Sequence, residues 1–192
     1  MKFKLLYYGE LMSNPKNRSR HISEIRMTFH QQMKGLIDIS PWKNLAQHMV
    51  PNPTKAPILS KSMGGYVFNP FISDKLNMFV ELDIQMLHPE TIGFARADID
   101  NRAKTLLDAL RCPQNEHECG ANMPKNIGPI YTLLDNDNLV SKLSINTSHL
   151  LSPEGVFPPC GKDEDHKEKL FLMINVNVRV SEGTLENLPF MV

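Results

Sequence analysis

The sequence holds only three cysteines and a single tryptophan in 192 residues, and its charges cancel, with 21 basic against 21 acidic side chains. It has no unbroken apolar run near the ~20 residues that a membrane-spanning helix needs. Each scarcity removes a class. A small, odd number of cysteines in a chain of this length gives no disulfide framework and suits a reducing compartment. The opening segment, Lys2-Phe3-Lys4-Leu5-Leu6-Tyr7-Tyr8-Gly9-Glu10, is too short and too soon broken by charge for a secretory signal, so a cytoplasmic protein is expected. With 41% hydrophobic residues and no extreme bias, residues 1–192 read as a single globular domain with a sizeable core.

Zero net charge by itself argues against a nucleic-acid binder, but the charges are unevenly spread. Residues 1–61 carry ten Lys/Arg against three Asp/Glu, and the remainder carries eleven against eighteen. A basic front could meet phosphates while an acidic back holds a cation, or the two halves could simply neutralise each other in the fold.

Periodicity supplies the elements. Phe3 to Leu11 reads as a first strand, and Ile22, Ile25, Phe29, Met33 and Leu36 recur at helical steps. The other faces of that helix carry Arg18, Arg20, Arg26 and Lys34 with His21 and His30, which suits a phosphate backbone or plain solvation. A short helix is expected over Lys43 to Met49, with Trp42 as core or lid. Tyr66 to Ile72 and the alternating Leu76 to Leu87 look like two strands of a hairpin, and Leu170 to Val180 alternates as a final strand. The tail from Ser181 is expected to pack loosely. The fold class is α+β, a mixed β-sheet packed with helices.

The most informative stretch is Asp98-Ile99-Asp100-Asn101-Arg102-Ala103-Lys104, continuing to Asp108-Ala109-Leu110. In extended backbone Asp98 and Asp100 point to the same side, and Asp100 is a good N-cap for the helix that follows. Ala103, Leu106, Leu107 and Leu110 form its apolar stripe; Asp100, Lys104 and Asp108 form a polar one. One reading is a capped surface helix with ordinary i,i+4 charge pairs. The other is a cation site, because carboxylates so close repel unless a proton or a hard divalent ion lies between them.

These residues resemble the signature of the RusA-like Holliday-junction resolvases, a family of crossover junction endodeoxyribonucleases. That signature is Asp-x-Asp-Asn, a Lys four residues on, an Asp four beyond that in Asp-Ala-Leu, and a later Asp in an Asp-x-x-Val context. Here these are Asp98-Ile99-Asp100-Asn101, Lys104, Asp108-Ala109-Leu110 and Asp137-Asn138-Leu139-Val140. The match covers roughly residues 75–146. It implies a RusA-like resolvase fold and a Mg2+-dependent, homodimeric endonuclease that nicks branched DNA such as a four-way junction, with Mn2+ as a substitute ion. Asp98, Asp100 and Asp137 would be the metal ligands, and Lys104 a cation beside the phosphate or a proton source for the leaving group. Asn101, Asp108 and Asp135 would support them, and Arg18, Arg20, Arg26, Lys34, Arg96 and Arg102 would hold DNA.

Two features depart from the family pattern. The Pro-rich N-terminal segment of the resolvases is replaced by the basic helix, and residues 111–129 form an insertion where the family has a short turn. Cys112, His117 and Cys119 in that insertion, with Cys160 and His166 further on, could make a zinc clip or remain free buried thiols. A magnesium nuclease acting on flaps or RNA, and a non-catalytic module that binds DNA or protein, are the alternative readings.

Overall fold

A computed structural model of the chain describes residues 1–12, 15–51, 53–88, 99–120, 123–124, 127–150 and 169–191. Asp98, Arg96, Cys160 and His166 lie outside the described residues. Nine principal elements follow in order: β1 (Lys2–Glu10), α1 (Arg18–Leu36), β2 (Lys61–Met63), β3 (Tyr66–Ile72), β4 (Met78–His88), α2 (Ile99–Leu110), β5 (Ile130–Leu134), β6 (Val140–His149) and β7 (Lys169–Val180).

The strands divide into two sheets, one in the order β1-β7-β4-β6 and one in the order β2-β3-β5. In the first, β7 runs antiparallel to both β1 and β4, while β6 runs parallel to β4. A parallel neighbour needs a crossover, and here the crossover carries α2, the insertion and β5. Alternation decides which face is buried. Val80, Leu82, Ile84 and Met86 of β4 and Leu170, Leu172, Ile174, Val176 and Val178 of β7 point into the core, and Glu81, Asp83 and Gln85 point out. Side chains of both sheets, α1 and α2 meet in a single hydrophobic cluster. The architecture is therefore mixed α+β with two sheets.

The expected hairpin of 66–72 with 76–87 does not form. β3 pairs antiparallel with β2 and parallel with β5, and β4 belongs to the other sheet. Two local causes are visible. Ser73 caps a 3-10 turn over Asp74–Leu76, and Asn77 then takes a left-handed conformation with φ 53° that redirects the chain. In addition Phe68 to Ile72 is buried at every position, as in a strand covered on both faces rather than one with a solvent side.

The tail also differs from expectation. Asn187 is fully buried and its amide donates to the carbonyls of Leu76 and Glu182 at 2.8 Å each. Phe190 packs tilted against Trp42 with ring centroids 5.2 Å apart, so Trp42 is core, seated between Phe3, Phe71 and Phe190. The expected helix over 43–49 is a 3-10 helix over Trp42–His48. No described helix is long and apolar enough to cross a membrane.

Candidate functional site

α2 begins where the sequence led one to expect, with Asp100 in its first turn rather than at the cap. A carboxylate there is favoured by the partial positive charge of the helix start. Ala103, Leu106 and Leu110 bury the inner face, joined by Thr105 and Ala109. Asp100, Asn101 and Lys104 are exposed. The start of α2 is held against the end of β4: the Arg102 guanidinium lies 3.4 Å from Nε2 of His88, whose pKa is lowered by burial and then by Arg102. Among the described residues neither Asp100 nor Lys104 makes a side-chain hydrogen bond or ion pair, although they stand one turn apart.

Asp108, on the same polar stripe, is fully engaged. Its Oδ2 accepts from Arg18 at 2.7 Å, and its Oδ1 accepts from Nη2 and Nε of Arg111 at 2.7 and 3.1 Å. It does not touch Lys104; it fastens α1 to the far end of α2. Arg111 was not singled out from the sequence, yet it is the hub of this end. It donates to Glu118 at 2.9 Å and lies 3.9 Å from Asp137. Only its i,i+3 spacing from Asp108 hinted at that role.

Asp137 opens a 3-10 turn that leads into β6, and its side chain is 52% exposed. Because it neighbours Arg111, it lies at the C-terminal end of α2. Asp100 lies eleven residues back along that helix, roughly 16 Å at 1.5 Å per residue. The parallel register says the same, since Val140 pairs with Val80 at the start of β4 whereas α2 is tied to His88 at its end. Within one chain Asp100 and Asp137 do not converge, and no three His, Cys, Asp or Glu side chains cluster as a metal site among the described residues. Asp135 is buried in a hydrogen bond from Ser73 at 3.1 Å and an ion pair with Lys61, which makes it structural.

The cationic face of α1 requires one correction. Arg26, expected to face DNA, is 1% exposed. Its guanidinium donates to the carbonyls of Asp108 at 2.8 Å and of Arg111 and Glu118 at 3.3 Å, and burial pushes its pKa down to about 10. It caps the orphan carbonyls at the end of α2. Arg18 is split, bonding Thr105 and Asp108 while staying partly exposed. His30 is buried and accepts from the Tyr131 amide at 2.9 Å. Arg20 and Lys34 remain on the outer surface.

The insertion folds onto α1 through a 3-10 turn over Glu116–Cys119, and Ser23 donates to the Cys119 carbonyl at 2.9 Å. Cys112 and Cys119 are free and buried with Phe68, Met123 and Ile130 in a small second core. The Cys112 thiol lies 3.1 Å from the Thr132 hydroxyl, and burial pushes its pKa up to about 11. His117 is exposed, apart from both.

An open trough of about 650 Å³ lies on the outer face of the four-stranded sheet, lined by Lys2, Lys4, Glu81, Asp83, Lys142 and Asn177 among others. Its acids are already satisfied, Glu81 by Asn177 and Arg179 and Asp83 by Asn146 and Asn175. Comparison with models of protein families, with curated proteins and with solved structures finds no match.

Proposed function

We propose that the chain is a Mg2+-dependent endodeoxyribonuclease of RusA-like type that cuts branched DNA, a four-way junction being the expected substrate. The observation that carries this reading is the state of Asp100 and Lys104. An exposed carboxylate and ammonium one turn apart on a surface helix can pair with each other, though only weakly, and Asp108 on the same stripe is bonded on both oxygens. Asp100 and Lys104 have no such partner among the described residues and are exposed on the start of α2, which is held to the end of β4.

The donor chemistry suits a small hard cation: carboxylate oxygens with no thiol or imidazole among the proposed ligands. Mg2+ takes one or two carboxylates directly and keeps several waters, so Asp98 and Asp100 meet its minimum. When bound, such an ion supplies an activated water and withdraws charge from a non-bridging phosphate oxygen. Asp100, in the first turn of α2, fixes where the scissile phosphate comes to rest. Lys104 places its ammonium one turn further along the same face, where it opposes the negative charge that develops on the phosphate and stands ready to protonate the departing oxygen. Asp137 has no place in that cluster within one chain, so its part in the reaction requires a second copy.

The test is a cleavage assay on a synthetic four-way junction. Wild-type protein nicks near the branch in Mg2+ or Mn2+ and not in EDTA. Asp98→Asn and Asp100→Asn bind the junction without cutting, and Lys104→Met cuts ~10²-fold more slowly. Undiminished cutting by the Asp98→Asn, Asp100→Asn double variant would overturn the reading. A panel of flaps and RNA hairpins separates junction resolution from other nuclease activity.

A further inference from the structure

The outer face of the four-stranded sheet is built in rows that run straight across its strands. In one row Lys2, Asn177, Glu81 and Lys142 are register partners. In the next are Lys4, Asn175, Asp83 and Ser144. These residues line the open trough of about 650 Å³. One wall is β1, whose outer main chain is closed at Leu6 by Gln32: its Oε1 accepts from the Leu6 amide at 2.9 Å and its Nε2 donates to the Leu6 carbonyl at 2.7 Å. The two carboxylates in the floor are occupied. Glu81 accepts from Asn177 at 2.6 Å and Arg179 at 3.3 Å, and Asp83 from Asn146 at 3.2 Å and Asn175 at 3.4 Å. A carboxylate only accepts, so each of these amides turns its NH2 to an acid and its carbonyl oxygen away from it. The rims differ from the floor. Lys2 and Lys4 on one side and Lys142 on the other enter no ion pair among the described residues. Further along β1 the same face carries Leu6 and Tyr8, 45% and 36% exposed.

We propose that this face binds single-stranded DNA, with phosphates on the lysines of the rims, base edges on the amides of the floor and a base stacked on Tyr8. Charge selects an anion, because three unpaired ammonium groups border a floor whose acids already have partners. The amides select bases over a plain polyanion: an oriented carbonyl oxygen beside an NH2 group meets the donor and acceptor pattern of a base edge. Shape selects an unpaired strand. The face is about 14 Å from rim to rim at three strand spacings, too broad to enter a groove that admits a helix or a two-stranded ribbon. Its floor side chains, Asn and Ser, are too short to reach the bases of a duplex from outside, whereas an unpaired strand can turn its bases onto them and onto an aromatic ring. Lys2 and Lys4 stand about 6.8 Å apart along β1, so successive phosphates of an extended strand meet them in turn. The trough is separate from the start of α2. Asp83 lies five residues before His88, to which α2 is tied, about 17 Å along β4.

That the strand is DNA and not RNA rests on the nuclease reading; the fit of the trough to an unpaired strand does not. The experiment follows the fluorescence anisotropy of a labelled, unstructured DNA strand of roughly ten nucleotides with the full chain in EDTA, where no divalent ion supports cutting. The parent chain binds, and its affinity falls as salt rises. The Lys2→Gln, Lys4→Gln, Lys142→Gln variant binds at least ~10-fold more weakly, with a salt slope shallower by about 2. Tyr8→Ala binds about tenfold more weakly with the parent's slope, and an abasic strand of the same length is also bound more weakly. Arg20→Gln, Lys34→Gln, on the outer surface of α1, binds as the parent does. No binding by the parent chain, full affinity in the lysine variant, equal binding of the abasic strand or of a duplex, or tighter binding of the matching RNA strand overturns the proposal. Junction nicking in Mg2+ is read separately. A chain that holds the strand through these lysines and never nicks sinks the nuclease reading alone, and one that nicks while its strand binding ignores the lysines sinks the trough alone.

Discussion

At the scale of single residues, the same side-chain type serves opposite purposes depending on what surrounds it. Arg20 is a surface arginine paired with Glu24, whereas Arg26, six positions on, is sealed behind the insertion and spends its donors on three carbonyls. Replacing Arg26 by Met should therefore cost about 3 kcal/mol of stability, because buried carbonyls at the end of α2 lose their donors. Urea unfolding monitored by circular dichroism measures it, and DNA affinity of the folded fraction is expected to be unchanged. Asp100→Asn should shift the same unfolding curve only slightly, by about 0.5 kcal/mol, since among the described residues Asp100 has no side-chain bond to lose and only its charge at the start of α2 goes. His30 gives the pH dependence. Burial and the nearby Lys34 lower its pKa from the usual 6.5, so the unfolded chain takes up the proton first. The stability linked to neutral His30 is complete above 6.5 and is lost as pH falls through the lower folded value. Unfolding midpoints measured from pH 7.5 to 5 should fall less steeply in His30→Gln than in the parent chain.

At the scale of elements, spacing was a good guide wherever one face met the core and the other met water. α1, β4 and β7 fall where their periodicities put them, because a period of 3.6 or 2 is itself the record of a one-sided burial. β3 did not announce its partners, since a strand buried on both faces has no alternation to read. Nor did the sequence mark Gln32 as a strand-edge cap, because glutamine on a helix looks like any solvated residue. Gln32→Val removes that cap and bares the Leu6 amide and carbonyl. The expected outcome is concentration-dependent association beyond the parent's own state, visible by light scattering, since an uncovered edge pairs indiscriminately. An unchanged scattering mass would show that Gln32 is incidental to the edge.

At the scale of the whole molecule, Asp100 of the Asp-x-Asp-Asn motif and the later Asp137 are separated by the length of α2, and the chain's polarity of charge is partly cancelled internally through Arg18 with Asp108 and Lys61 with Asp135. If Asp137 acts together with a second copy, as the nuclease reading requires, unfolding is coupled to dissociation, and the thermal midpoint should rise with protein concentration. A tenfold dilution series by scanning calorimetry measures this.

The sequence by itself determined the segment types, the buried faces of α1, β4 and β7, and the polar stripe of α2 that exposes Asp100 and Lys104, because local periodicity and propensity act within a few residues of chain. Tertiary structure alone decided that β3 and β4 go to different sheets, that Arg26 and Asp135 are interior fastenings, and that Asp137 stands at the opposite end of α2 from Asp100. Those outcomes depend on which surfaces meet across long separations in the chain, and the free energy that selects among them comes from packing and from satisfying buried polar groups, neither of which is written in the spacing of neighbours.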